Sequence, residues 1–271
     1  MKKIPIGFSA GTYQEQNNGH TGNTYPETVN PRKSVVQVYF PSRDMSFAYY
    51  NDSFDLKVGD FVYVEGKLEG HRGRITGVNY SFKIKLSDYK KVIAVIDTNI
   101  KGDFYLAGSH MVSFGRDTIP FSKVLSWFKT PSAEEYVSGN DDTKSFPLDD
   151  LSKMNISQSA ADRGHDYYME NRVSYIEIDE IHGHAIVEGT ENYEIEFDYI
   201  NGEISNLKCS WFCSGACKHE FAVMLQLKET LELINENYEN EYDNYFAIIS
   251  KGVFMNTALN KKISGKISLE V

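Results

Sequence analysis

Residues 209–221 read CSWFCSGACKHEF. All three cysteines of the 271-residue chain fall within nine positions here, and a histidine stands two residues after the last. Just upstream, NYEIEFDYI (192–200) alternates without a fault. Tyr193, Ile195, Phe197 and Tyr199 share one face and Glu194, Glu196 and Asp198 the other, as in a half-buried antiparallel strand. Asn201-Gly202 suits the two positive-φ positions of a tight hairpin turn, so EISNLKC (203–209) returns as a strand that ends on Cys209. Downstream of His219, Phe221, Met224, Leu227, Leu231 and Ile234 recur at steps of three and four, one face of an amphipathic helix. The stretch therefore joins a strand end, a short loop and a helix mouth.

That frame suits a metal ion. Zn²⁺ takes four soft or borderline ligands in a tetrahedron, and Cys209, Cys213, Cys217 and His219 supply three thiolates and an imidazole. Such a closed set leaves no position for a substrate, so one structural zinc is expected rather than a catalytic one. In isolated fingers a site of this kind contributes on the order of 10 kcal/mol to folding. The alternative, a core cluster of free cysteines, fits Ser214 and Gly215 badly. The start, MKKIPIGFSAGTYQEQ, carries no signal-type apolar run, and no stretch of about 18 apolar residues appears. A cytoplasmic protein is the expectation, and there thiols stay reduced and clustered cysteines point to metal.

Further upstream, VSYIEI (173–178) and HAIVEG (184–189) read as strands, and ISQSAADRGHDYYMENR (156–172) as a helix that breaks near Gly164. The end of the chain suggests another helix over 245–259 and a terminal strand near KISLEV.

The run from Arg163 to Leu225 resembles the SWIM zinc finger, a module of bacterial SWI2/SNF2-type ATPases, plant transposase-like proteins and some recombination factors. The matching features are Arg163-Gly164 with Tyr167-Tyr168, Val173, Val187-Glu188-Gly189, Tyr193, and the Cys-Lys-His-x-x-Ala-Val run ending at Val223. They cover about 60 residues, under a quarter of the chain. One departure stands out: the family pattern is C-x-C followed by C-x-H, and here Trp211 occupies the second-cysteine place, with Cys213 two residues later. The resemblance implies a ββα zinc module that binds DNA or protein partners. It also makes Lys218, between the last two ligands, the candidate phosphate contact, with Arg163 second.

The first half has a different character. VVQVYF (35–40), FAYY (47–50), DFVYVE (60–65), GRITGV (73–78) and KVIAVI (91–96) are short, β-branched and aromatic, punctuated as in a small barrel. Residues 121–128 read as a short helix. Residues 35–78 resemble, more faintly, the N-terminal DNA-binding barrel of PriA-type primosomal helicases and the KOW-type strand-loop-strand. Lys67, His71, Arg72 and Arg74, set among Gly66, Gly70 and Gly73, are the candidate contacts to a nucleic acid. Tyr39, Tyr49 and Tyr50 are candidate base-stacking surfaces. Residues 1–130 carry 17 Lys and Arg against 12 Asp and Glu, whereas 131–271 carry 11 against 26. A polyanion would therefore meet the first half more readily, and a protein partner suits the acidic second half.

No phosphate-binding G-x-x-x-x-G-K-[ST], G-x-G-x-x-G or G-x-S-x-G occurs, and the carboxylate pairs Asp141-Asp142 and Asp149-Asp150 lack positioning partners. The expected fold is α+β: an irregular arm (1–34), a basic barrel-like domain (35–130), an acidic linker (131–151), and a SWIM-type zinc domain with a helical extension (152–271). The expected role is non-enzymatic. The expectation is a zinc-binding mediator of DNA or protein interactions that works beside a separate SNF2-type ATPase or helicase, or an adaptor whose zinc serves only the fold and which binds no nucleic acid.

Overall fold

In a computed structural model the described residues are 31–131, 145–213, 215–237 and 245–258. They form a mixed α+β structure with mostly antiparallel sheets and few helices. Most of the expected arm, most of the acidic linker and the KISLEV segment lie outside the described residues.

The first five strands are β1 (Ser34–Phe40), β2 (Met45–Asn51), β3 (Phe61–Val64), β4 (Gly73–Asn79) and β5 (Val92–Val95), ordered β2-β1-β4-β3-β5. The sheet curls until its edges meet. Tyr50 N–H donates to Lys90 O at 2.9 Å, and Tyr50 bridges Lys91. Val36, Val38, Phe40, Val62, Val64 and Ile75, alternate residues of three strands, fill the interior. Gly73 is required there, because a Cβ would lie 2.3 Å from a Val38 methyl. Tyr49 and Tyr50 are each only 6% exposed, so the base-stacking role suggested for them is corrected. Their rings are core because aromatic strand residues pack wherever the sheet closes over them.

The remaining strands are β6 (Phe104–Ala107), β7 (Met111–Phe114), β8 (Phe146–Pro147), β9 (Val173–Asp179), β10 (His182–Glu188), β11 (Asn192–Ile200), β12 (Glu203–Cys209) and β13 (Tyr245–Ser250). They build one sheet in the order β6-β7-β13-β9-β10-β11-β12-β8. The helices are α1 (Phe121–Phe128), α2 (Gln158–Met169), α3 (Lys218–Asn237) and α4 (Lys251–Ala258). The Asn201-Gly202 turn has the expected left-handed angles, φ 50° and 88°.

Three expectations change. Strands β6 and β7 precede the acidic stretch yet belong to the same sheet as β9–β13, so residues 131–151 do not separate two sheets; the change of sheet falls between β5 and β6. Residues 245–250, expected as helix, form β13, because YFAIIS is an apolar, β-branched run buried on both faces. Phe246 and Ile248 face α3, while Tyr245, Ala247 and Ile249 face α1 and the first sheet. The helix follows at 251–258. Finally, α2 runs unbroken through Gly164. The glycine is there for contact: a Cβ would sit 2.8 Å from Lys218 O and 2.9 Å from Phe221 Cβ, so its absence lets α2 lie against the first turn of α3.

The eight-stranded sheet thus has two covered faces. Met224, Leu227, Leu231 and Ile234 of α3 pack on Ile176, Ile178, Ala185, Val187 and Ile195. On the opposite face Trp127, Phe61 and Tyr63 meet Tyr175 and Ile186.

Candidate metal centre

Strand β12 delivers Cys209 and pairs it with Ile195. The ladder continues one residue further: Ser210 N–H donates to Glu194 O and Glu194 N–H to Ser210 Oγ. The chain then turns, with Trp211 N–H directed at Cys209 Sγ at 3.5 Å. Gly215, at φ 143°, completes the return. Cys217 precedes α3, where it occupies the N-cap position. Its backbone N–H donates to Glu220 Oε2 at 2.6 Å, and Phe221 N–H donates to its carbonyl at 3.0 Å. The first contact is the returning half of a capping box, and it holds the first turn of α3 in place.

This path brings the sulfurs of Cys209, Cys213 and Cys217 within 4.8 Å of one another, a cluster that could hold a metal ion. Trp211, in the place between Cys209 and Cys213, is half exposed, and its ring meets Tyr193 edge-on at 5.8 Å. His219 comes from the next position but one on α3. Its Nδ1 lies 3.7 Å from Cys209 Sγ and 3.8 Å from Cys217 Sγ. With Zn–S near 2.3 Å and Zn–N near 2.0 Å, the edges of a tetrahedron are about 3.8 Å for S–S and about 3.5 Å for S–N. The three sulfurs form the cluster that could hold the ion, and His219 Nδ1 stands within a few tenths of an ångström of such an edge from two of them, Cys209 and Cys217.

The electrostatics agree. The hydrogen bond from Cys209 holds the Cys217 thiol far below its usual range, with His219 adding to the effect. Cys209 is pushed up by the same bond and by burial. Burial, then the Cys217 charge, pushes Cys213 up to about 12. Without a cation only one sulfur of the cluster is readily ionised. A bound dication reverses this by deprotonating coordinating thiols.

The residues around the candidate ligands account for much of the motif read from the sequence. His219 is 3% exposed, stacked on Tyr193 at 3.9 Å between centroids and met edge-on by Tyr167 at 5.4 Å. Its Nε2 is buried without a hydrogen-bond partner, so the ring is oriented by these two aromatics. Gly189 is needed for the same stack, since a Cβ would come 2.7 Å from the Tyr193 ring. Lys218 turns away from the sulfurs. Its Nζ donates to Tyr167 Oη at 3.0 Å and lies 4.5 Å from that ring's centre.

The basic candidates of the first half are spread out. Lys67 is exposed on the β3–β4 connection. His71 Nε2 contacts Arg43 Nη2 at 3.5 Å, a partner the sequence reading did not single out. Arg74 is half-buried on β4 opposite Tyr39 and Phe61. Arg72 faces inward: its Nη1 donates to Thr257 Oγ1 at 2.6 Å and to Trp127 O at 3.4 Å, and burial lowers its pKa. It ties the first sheet to α1 and α4, and no sequence pattern separates this role from that of Arg74 two residues on. His182 and His184, flanking Gly183, stay apart from the sulfurs. His182 bonds Asp198 at 2.8 Å, and His184 stacks on Phe121. No helix among the described residues is long and apolar enough to cross a membrane. Comparison of the chain with protein-family models, with curated proteins and with solved structures finds no match.

Proposed function

We propose that this chain is a non-enzymatic zinc protein of the cytoplasm, in which a SWIM-type ββα module, held by one structural Zn²⁺, serves DNA or protein assembly, beside a separately encoded SNF2-type ATPase or helicase. Cys209, Cys213, Cys217 and His219 are the ligands. The ion's contribution is to cross-link a strand end, a loop and a helix mouth, and the chain's own residues do the rest. Glu220 holds the Cys217 backbone, and Tyr193 and Tyr167 fix the imidazole plane. The observation that carries the reading is the approach of His219 Nδ1 to two sulfurs of a three-sulfur cluster at tetrahedral edge lengths.

The test is metal analysis of the full chain purified under reducing conditions. About one zinc per chain is expected for the wild type, with loss in Cys217→Ser and in Cys213→Ser. A wild type that neither contains nor takes up zinc removes the reading.

A second reading, an adaptor whose zinc is purely structural and which binds no nucleic acid, is favoured by two observations. Arg72 is committed to Thr257 and Trp127, and Tyr49 and Tyr50 are buried, so the first half offers a polyanion less than its sequence suggests. Lys67→Gln with Arg74→Gln in the full chain decides between them. Salt-sensitive binding to DNA that weakens in this double variant supports the first reading, and a protein partner retained after nuclease treatment, without DNA binding, supports the second.

A further inference from the structure

A groove of about 630 Å³ opens at the candidate metal centre, with Cys213, Cys217 and His219 in its wall. This lies within the size range of small-ligand sites, about 300–1,000 Å³. The Trp211 and Phe212 side chains line it at 52% and 92% exposure, unusual for the two bulkiest apolar residues of a short loop. Trp211 is braced rather than loose, its ring meeting Tyr193 edge-on at 5.8 Å and 84°. Tyr193 in turn stacks on His219. The charged residues among the described groove lining are Arg163 and Lys218, both cations. This local sign is opposite to that of residues 131–271, where 26 acidic residues face 11 basic ones.

We infer that this groove takes one unstacked base, with an adjoining phosphate, from a single-stranded nucleic acid: the base on Trp211 and Phe212, the phosphate at Arg163. An exposed aromatic face beside a cation is the element that binds single strands without sequence preference. A paired base offers no free face to Trp211, so duplex is the poorer ligand. Arg163 is exposed, and only its Nε is engaged, with Ser159 O at 3.1 Å, so the rest of the guanidinium fork points to solvent. Lys218 is partly held by Tyr167 and adds charge more than contact. The acidic surroundings limit the footprint to these one or two phosphates, so the salt dependence is shallow. The slope of log K against log salt is expected between about −0.7 and −1.4 for single strands. An acidic peptide would satisfy the cations and leave the indole face unused.

The inference rests on the zinc-module reading, in which Cys209 and Cys213, on either side of Trp211, are ligands together with Cys217 at the start of α3. It is tested with the full chain, a 5′-labelled thymidine 12-mer and a duplex of the same length, by fluorescence anisotropy at several salt concentrations. Zinc is measured on every sample. Expected are preference for the single strand, a 5- to 150-fold loss in Trp211→Ala, from about 1–3 kcal/mol per stacked base, and a slope shallower by about 0.7 in Arg163→Gln. Should Trp211→Ala lose its zinc, Phe212→Ala and Arg163→Gln carry the test, both being changes of exposed side chains. Zinc-loaded variants that bind like the wild type overturn the inference. So does equal affinity for duplex, or binding of an acidic peptide with none of the oligonucleotide. Each of those outcomes leaves the zinc reading standing, whereas a zinc-free wild type removes the zinc reading itself.

Discussion

Gly164→Ala separates two opposed effects in one methyl group. In a helix interior, alanine is better than glycine by about 1 kcal/mol, so a solvent-facing Gly164 would gain stability on substitution. In this fold the new Cβ would lie 2.8 Å from Lys218 O, 2.9 Å from Phe221 Cβ and 3.0 Å from Phe221 Cδ1. The nearest obstacle is a backbone carbonyl in the first turn of α3, which cannot rotate aside as a side chain would. Overpacking of this kind costs about 1–3 kcal/mol, and a backbone obstacle places it in the upper part of that range. The difference is a net loss of about 1–2 kcal/mol. Urea unfolding of the metal-free protein, followed by circular dichroism, should show a midpoint lower by roughly 0.5 M for a slope near 3 kcal/mol per molar. Because the displaced turn carries Cys217 and His219, zinc affinity from chelator competition should also fall, by about 10-fold. A variant more stable than wild type by about 1 kcal/mol, with unchanged zinc affinity, would refute the close approach of α2 to α3.

Three other substitutions probe different parts of the structure. Tyr193→Leu removes the ring stacked on His219 and should weaken zinc binding by about 10- to 100-fold, whereas Tyr193→Phe keeps the ring and loses only the contact with Thr190, leaving affinity near wild type. Arg72→Met leaves Thr257 Oγ1 and the Trp127 carbonyl without their donor and should cost about 1–3 kcal/mol in urea unfolding, with no change in the salt dependence of any DNA binding. Glu177, 6% exposed between Tyr175 and Tyr245, is lifted to about 7 mainly by burial. The folded state then keeps a proton that the unfolded chain releases at lower pH, so stability falls as pH rises from the usual carboxylate range towards 7 and levels off above it. Glu177→Gln should flatten that part of the pH–stability curve and be more stable at pH 8 by up to about 3 kcal/mol; an unaltered curve would remove Glu177 as its source.

Much of the local structure is readable without coordinates, for a physical reason: period and turn chemistry are properties of neighbouring residues. The alternation in 192–200, the Asn201-Gly202 turn, the three-and-four stripe after His219 and the strands between residues 34 and 96 all reappear as β11, the β11–β12 hairpin, α3 and β1–β5. The close spacing of the three cysteines confines their sulfurs to one neighbourhood, which is why the cluster was legible. Features that depend on distant partners were not. An apolar run such as YFAIIS does not say whether it will be a helix or a central strand until β7 and β9 flank it. Gly164 looks like a helix break until α3 is laid across it, and Arg72 looks like Arg74 until Thr257, 185 residues away, appears beneath it. Sequence settles what each segment can become, since backbone sterics and side-chain period act over a few residues. Only the assembled sheet and helices settle which faces are covered, which cation is buried and how the imidazole is held, since those depend on contacts whose partners lie far apart in the chain.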